Sequence, residues 1–143
     1  MGRSGWASGL ESGRRAILAP RTGGFLKILI ADDDRLVRTM VSDLLAELGH
    51  AVVAAANGAE AVDLAARETP DVLILDFLMP KMSGLDALHA LRARGVDAPA
   101  VLLTAITDRS FRGVDGADAI DVRLEKPVTR RSLERALARA TRR

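Results

Sequence analysis

Three short apolar runs and a fourth, mixed stretch, each closed by residues that can do chemistry, constrain this chain more than any other feature. Ile28-Leu29-Ile30-Ala31 ends in Asp32-Asp33-Asp34, and Val72-Leu73-Ile74-Leu75 ends in Asp76. Val101-Leu102-Leu103 ends in Thr104, and Val122-Arg123-Leu124-Glu125 ends in Lys126-Pro127. Continuous apolar runs bounded by turn signals mark strands covered on both faces, as in parallel sheets. The C-terminal ends of parallel strands share one sheet edge, which is where open α/β sheets bind ligands. Clustered acids, one hydroxyl and one ammonium should therefore converge there. That set suits a divalent cation and a phosphoryl group.

Helical patterns fill the gaps between the runs. The strand at 27–31 is followed by a helix at about 35–48, with Leu36, Val37, Met40, Val41, Leu44, Leu45 and Leu48 at helical spacing and Gly49 as its stop. A short strand at 51–54 leads through Asn57-Gly58 into a helix at about 58–68, whose apolar face is Ala61, Val62, Leu64 and Ala65. Pro70 precedes a strand at 71–75, and the loop Met79-Pro80-Lys81-Met82-Ser83-Gly84 precedes a helix at about 84–93. Strands at 99–103 and 120–124 and a last helix at about 129–141 complete the pattern. Five strands alternating with helices predict an α/β fold. Right-handed crossovers make it a doubly wound, three-layer sandwich around a parallel sheet.

The length fits one domain. There is no Cys, which excludes disulfides and thiolate metal sites. No apolar stretch reaches the roughly 20 residues of a membrane span, and the N-terminus lacks a signal-peptide core. The reading is a cytoplasmic protein. The net charge of +2 hides an uneven distribution. Residues 1–24 hold four arginines against Glu11, and residues 126–143 hold Lys126 and six arginines against Glu134, so the body between them is acidic, at −7. Aromatics are scarce and no nucleic-acid-reading helix is evident, so the basic end reads as a solvated helix face. Residues 1–24 are rich in Gly, Ser and Arg without apolar periodicity and are expected to be disordered, with residues 25–143 as the folded domain. Trp6, the single Trp, lies in that extension.

The acids come first in the chemistry. Mg²⁺ takes oxygen ligands, usually one or two carboxylates with water and phosphate. Asp34 reads as the N-cap of the following helix. Asp32 and Asp33 read as cation ligands, because like charges packed at one edge repel unless a cation offsets them. Asp76, at the end of the most apolar run, is a natural nucleophile towards phosphorus. Thr104 can donate a hydrogen bond to a phosphoryl oxygen, and Lys126 can neutralise its charge. Neither His50 nor His89 reads as a metal ligand or a phosphohistidine.

The motifs ILIADDD, DVLILDFLMPKMSG, VLLTA and LEKP, in this order and spacing, resemble the receiver domain of two-component response regulators, from about Lys27 to Ala140. The resemblance implies a flavodoxin-like fold with strand order 2-1-3-4-5. It implies that Asp76 accepts a phosphoryl group from a sensor histidine kinase or a histidine phosphotransfer protein. Asp33, Asp76 and the main-chain carbonyl of Leu78 would bind Mg²⁺ directly, and Asp32 through water. Thr104 and Lys126 would grip the phosphoryl oxygens. A cis Lys126-Pro127 bond and a small residue at Ala105 also belong to the family pattern.

The sequence departs from that pattern in three respects. Arg123 stands where the family's switch residue is usually Tyr or Phe. A guanidinium is costly to bury unpaired, so the usual coupling between Thr104 and an inward-swinging aromatic is expected to be absent. Leu78 and Ile106 stand where the family often has polar groups that orient hydrolytic water, which predicts slow autodephosphorylation. The segment 108–118, expected as the helix between the last two strands, contains Gly113 and Gly116 and has a thin apolar face, Phe111 and Val114. This bears on the face that receivers commonly use for signalling and dimerisation.

The expectation is a stand-alone receiver acting through an unknown protein target or onward phosphorelay, with no direct nucleic-acid or membrane binding. It assists its own phosphorylation and dephosphorylation but is not a turnover enzyme. The alternative is a phosphorylation-independent pseudo-receiver that serves as an interaction module. An aspartate-nucleophile phosphatase would need an acid where Leu78 stands. A dinucleotide carrier would need a Gly-rich loop after the first strand.

Overall fold

The structure is a computed structural model that describes residues 24–105 and 120–142. The elements run β1 (Lys27–Ala31), α1 (Arg35–Glu47), β2 (Ala51–Ala55), α2 (Gly58–Glu68), β3 (Val72–Asp76), α3 (Gly84–Ala93), β4 (Ala100–Ala105), β5 (Val122–Lys126) and α4 (Arg130–Ala140). The five strands form one sheet of order β2-β1-β3-β4-β5, parallel throughout. This is the predicted doubly wound arrangement. The expected extension (residues 1–23 of it, with Trp6) and the segment expected as a helix over 108–118, with Ile106, lie outside the described residues.

Pleating sends alternate strand residues to opposite faces. Ile28, Ile30, Ile74, Val101, Leu103 and Leu124 pack on Val41 and Leu45 of α1 and on Leu133, Ala136 and Leu137 of α4. Leu29, Ala31, Leu73 and Leu75 pack on Ala61, Val62 and Ala65 of α2 and on Ala87, Leu88 and Leu91 of α3. β3 lies between β1 and β4, and all five of its residues are buried. The strand that carries Asp76 is therefore the least able to shift.

Side chains close the helix starts. The Asp34 carboxylate accepts from Leu36 N–H and Val37 N–H, as expected of an N-cap. Asn57 caps α2, and capping boxes of Ser83 with Asp86 and Thr129 with Ser132 start α3 and α4. Each such cap stabilises by about 1 kcal/mol. Three of these caps, Asp34, Asn57 and Thr129, lie within three residues of a strand end, so the turn from strand to helix is short there.

Two expectations need correction. Leu36 and Met40 were read as part of the apolar face of α1, but they are 81% and 40% exposed. At about 100° per residue the seven apolar positions spread over roughly half the helix circumference. The sheet covers only the arc holding Val37, Val41, Leu44, Leu45 and Leu48. The last two strands also run beyond their expected ends, so that Thr104 lies inside β4 and Lys126 closes β5. Backbone pairing of Thr104 with Glu125 and of Ala105 with Lys126 outweighs their polarity.

Gly84 ties α3 to the site. Its N–H donates to the Phe77 carbonyl at 3.0 Å. A Cβ there would collide with the Asp76 carbonyl oxygen and lie 3.0 Å from Leu102 Cδ1. Because a backbone oxygen cannot turn aside, Gly84→Ala is expected to cost about 2–3 kcal/mol in chemical denaturation.

Candidate active site

The carboxyl edge of the sheet carries a cleft of about 270 Å³, lined by Asp32, Asp33, Asp34, Asp76, Leu78, Ala105 and Lys126. Most of the residues singled out in the sequence meet here. Asp32 follows β1 directly, Asp76 ends β3 and Lys126 ends β5, so three separate runs contribute. Asp32 and Asp76 are buried, and Asp33 is exposed at the mouth. The Lys126 ammonium sits between the two buried acids, 3.1 Å from Asp32 Oδ2 and 3.2 Å from Asp76 Oδ1. The Lys126-Pro127 bond is cis.

Burial first, and then the Asp32 charge, push the Asp76 carboxyl up from 3.8 to about 7, against the pull of the Lys126 ammonium. Burial alone would lower the Lys126 pKa, but Asp32 and Asp76 outweigh it and the ammonium is held above its ordinary value. One ammonium thus serves two buried carboxylates, which leaves the site short of positive charge. Asp32 Oδ2 makes this ion pair without a directed hydrogen bond.

These features fit a hard divalent cation. One carboxylate oxygen from each of Asp32, Asp33 and Asp76 lies within 4.8 Å of the others. Mg²⁺ bonds oxygen at about 2.0–2.1 Å, so its ligands lie within roughly 4 Å of one another. Small side-chain rotations close that difference. The sequence had assigned no role to Arg38, whose Nη1 donates to the Asp32 carbonyl at 2.8 Å. Its position four residues after Asp34 carries no sequence signal beyond a helical i,i+4 pair.

Thr104 is not among the residues lining the cleft. Asp76 pairs in register with Leu103, so pleating turns the Thr104 side chain to the other face. There its hydroxyl is buried and makes no hydrogen bond among the described residues. Arg123 projects outward on that face and pairs with Glu125 at 3.3 Å. His50 accepts a hydrogen bond from Leu26 N–H at 3.1 Å, burial lowers its pKa, and His89 is exposed, so both stand apart from the cleft. The arginines of α4 at 130, 131, 135 and 139 are exposed, as expected of a solvated face, with Arg130 3.5 Å from Glu47.

Residues 28–138 match the family model of the response regulator receiver domain. The chain belongs to that family. Response regulator MprA of Mycobacterium avium (strain 104) is 43% identical over 115 residues, covering 80% of this chain and 49% of that protein. MprA of Mycobacterium tuberculosis (strain ATCC 25177 / H37Ra) matches at the same identity over 80% of this chain and 48% of its own. The receiver spans about half the length of these curated relatives. Among solved structures, the chemotaxis protein CheY4 of Vibrio cholerae superimposes with a TM-score of 0.75 at 32% identity, over 82% of this chain and 99% of that one. A response regulator receiver domain protein from Clostridium thermocellum gives 0.73 at 28% identity, over 81% and 94%. This receiver is thus a signalling domain of the two-component type. Among its described residues no helix is long and apolar enough to cross a membrane.

Proposed function

We propose that this receiver accepts a phosphoryl group on Asp76 from a phosphohistidine of a sensor kinase or phosphotransfer protein, and that Mg²⁺ assists. The observation that carries the reading is the Asp32–Lys126–Asp76 ion-pair cluster at the carboxyl edge of the sheet, with Asp33 beside it. An Asp76 oxygen attacks phosphorus while the P–N bond of the phosphohistidine breaks, and the bonding pair returns to the imidazole. Asp32, Asp33, Asp76 and the Leu78 carbonyl would hold Mg²⁺, which would neutralise charge on the phosphoryl oxygens. Lys126 releases Asp76 and pairs with a phosphoryl oxygen. The Thr104 hydroxyl, which has no hydrogen-bond partner among the described residues, has a hydrogen to donate to a phosphoryl oxygen from the carboxyl end of β4. Phosphoryl transfer needs mainly such positioning and charge stabilisation.

Arg123, already paired at the surface, gives Thr104 no aromatic partner to pull inward. Output then passes to a protein target in the cytoplasm or to an onward histidine. This holds for a receiver acting alone and for one joined to further chain. Leu78, 60% exposed at the cleft, offers no polar group to a hydrolytic water, so the phosphorylated state is expected to be long-lived.

Intact-mass spectrometry after incubation with a small phosphodonor tests the reading. The expected result is one Mg²⁺-dependent phosphoryl adduct that is absent in Asp76→Ala and decays over hours. No adduct on folded wild-type protein that binds Mg²⁺ would favour the phosphorylation-independent interaction module. Decay within seconds would overturn the role given to Leu78.

A further inference from the structure

Asp33 is the acid of the cluster that no side-chain partner holds among the described residues. Its carboxylate makes no hydrogen bond or ion pair among the described residues, whereas Asp32 and Asp76 share Lys126 and Asp34 caps α1. A ligand left untethered at its tip must be aimed by its backbone. Both peptide groups that flank Asp33 are clamped. On one side, Arg38 Nη1 reaches back from the second turn of α1 to the Asp32 carbonyl at 2.8 Å. On the other, Asp34 N–H donates to Asp32 Oδ1 at 2.9 Å. Asp32 N–H is itself held by the Ala55 carbonyl at 3.2 Å. Fixing the peptide planes before and after a residue fixes its φ and ψ, and hence the direction of its Cβ.

We propose that Arg38 is a positioning residue for the cation site: by holding the Asp32 carbonyl it aims Asp33 at the ion shared with Asp32 and Asp76. This rests on the reading of Asp33 as a cation ligand. Arg38 is half-buried and touches the site through a main-chain oxygen, so it neither ligates nor meets the phosphoryl group.

The sign of one measurement separates positioning from charge. A guanidinium beside three acids opposes a divalent cation, so by Coulomb's law alone its removal tightens Mg²⁺ binding. Loss of positioning weakens it, by about tenfold for a supporting hydrogen bond of this kind. Calorimetric Mg²⁺ titration of the full chain, with thermal unfolding in chelator as a control, is the test for wild type, Arg38→Ala and Arg38→Lys. The expected result is a Kd raised about tenfold in Arg38→Ala and recovered at least in part in Arg38→Lys, which keeps a donor. A Kd that is unchanged or lowered in Arg38→Ala overturns the proposal, whatever the unfolding midpoint does. Should Arg38→Ala not fold, Arg38→Gln takes its place, with a raised Kd supporting the proposal and an unchanged or lowered Kd overturning it. Wild type that binds no Mg²⁺ overturns the cation reading itself, and this inference with it.

Discussion

Asp76→Asn is expected to stabilise the Mg²⁺-free protein at pH 8 by about 2–4 kcal/mol, while abolishing phosphorylation. Burial and the Asp32 charge raise the Asp76 carboxyl from 3.8 to about 7. The folded state therefore holds this proton more tightly than the unfolded state does. Its contribution is fully present below about pH 4, and it is lost as pH rises through about 7. Above that, folding forces a charge into a buried site beside a like charge, at about 1.4 kcal/mol per pH unit of the shift. The amide removes that charge and keeps the shape. Urea denaturation in chelator from pH 4 to pH 8 should show a gap that opens with rising pH. Added Mg²⁺ should narrow it, because the ion stabilises wild type more than the variant. Equal stabilities across that range would show that Asp76 ionises without cost, and the site would then not be short of positive charge.

Lys126→Met is expected to act in the opposite direction. Asp32 is fully buried and Asp76 nearly so, and both rely on this ammonium. Removing one partner of a buried ionic group strands the other charges, at a cost of about 3–5 kcal/mol. The loss should be largest at pH 8 and shrink towards pH 5, where Asp76 takes up a proton. Mg²⁺ should restore much of it and should bind more tightly than to wild type, since the ammonium no longer competes for the same oxygens. Calorimetry and denaturation on one preparation read both effects. A variant as stable at pH 8 as at pH 5 would mean that water already screens the two acids, against the burial seen here.

The two predictions concern one arrangement, and most of it was legible in the chain. Apolar runs closed by Asp32 and Asp76 are strong signals, because a strand buried on both faces can place a charge only at its end. Leu36 and Met40 were misplaced for a related reason. Helical periodicity shows which side of α1 is apolar but not how much of that side the sheet covers. Thr104 shows the sharpest limit. With a period of two, one residue of strand register decides which face a side chain takes. Thr104, one step past the register partner of Asp76, takes the other side of the strand at the same carboxyl edge.

The sequence by itself determined the fold class, the strand order implied by the receiver motifs and the acids available at the carboxyl edge. These follow from local patterns: period, caps and the places where polarity interrupts an apolar run. Tertiary structure alone decided that Lys126 bridges Asp32 and Asp76 and that Arg38 holds the Asp32 carbonyl. It also decided that Arg123 pairs outward with Glu125 and that Thr104 takes the other side of its strand. Each of these depends on the register of neighbouring strands or on the direction of a long side chain. Such distances, of a few ångströms, are set only when the sheet and its helices pack together.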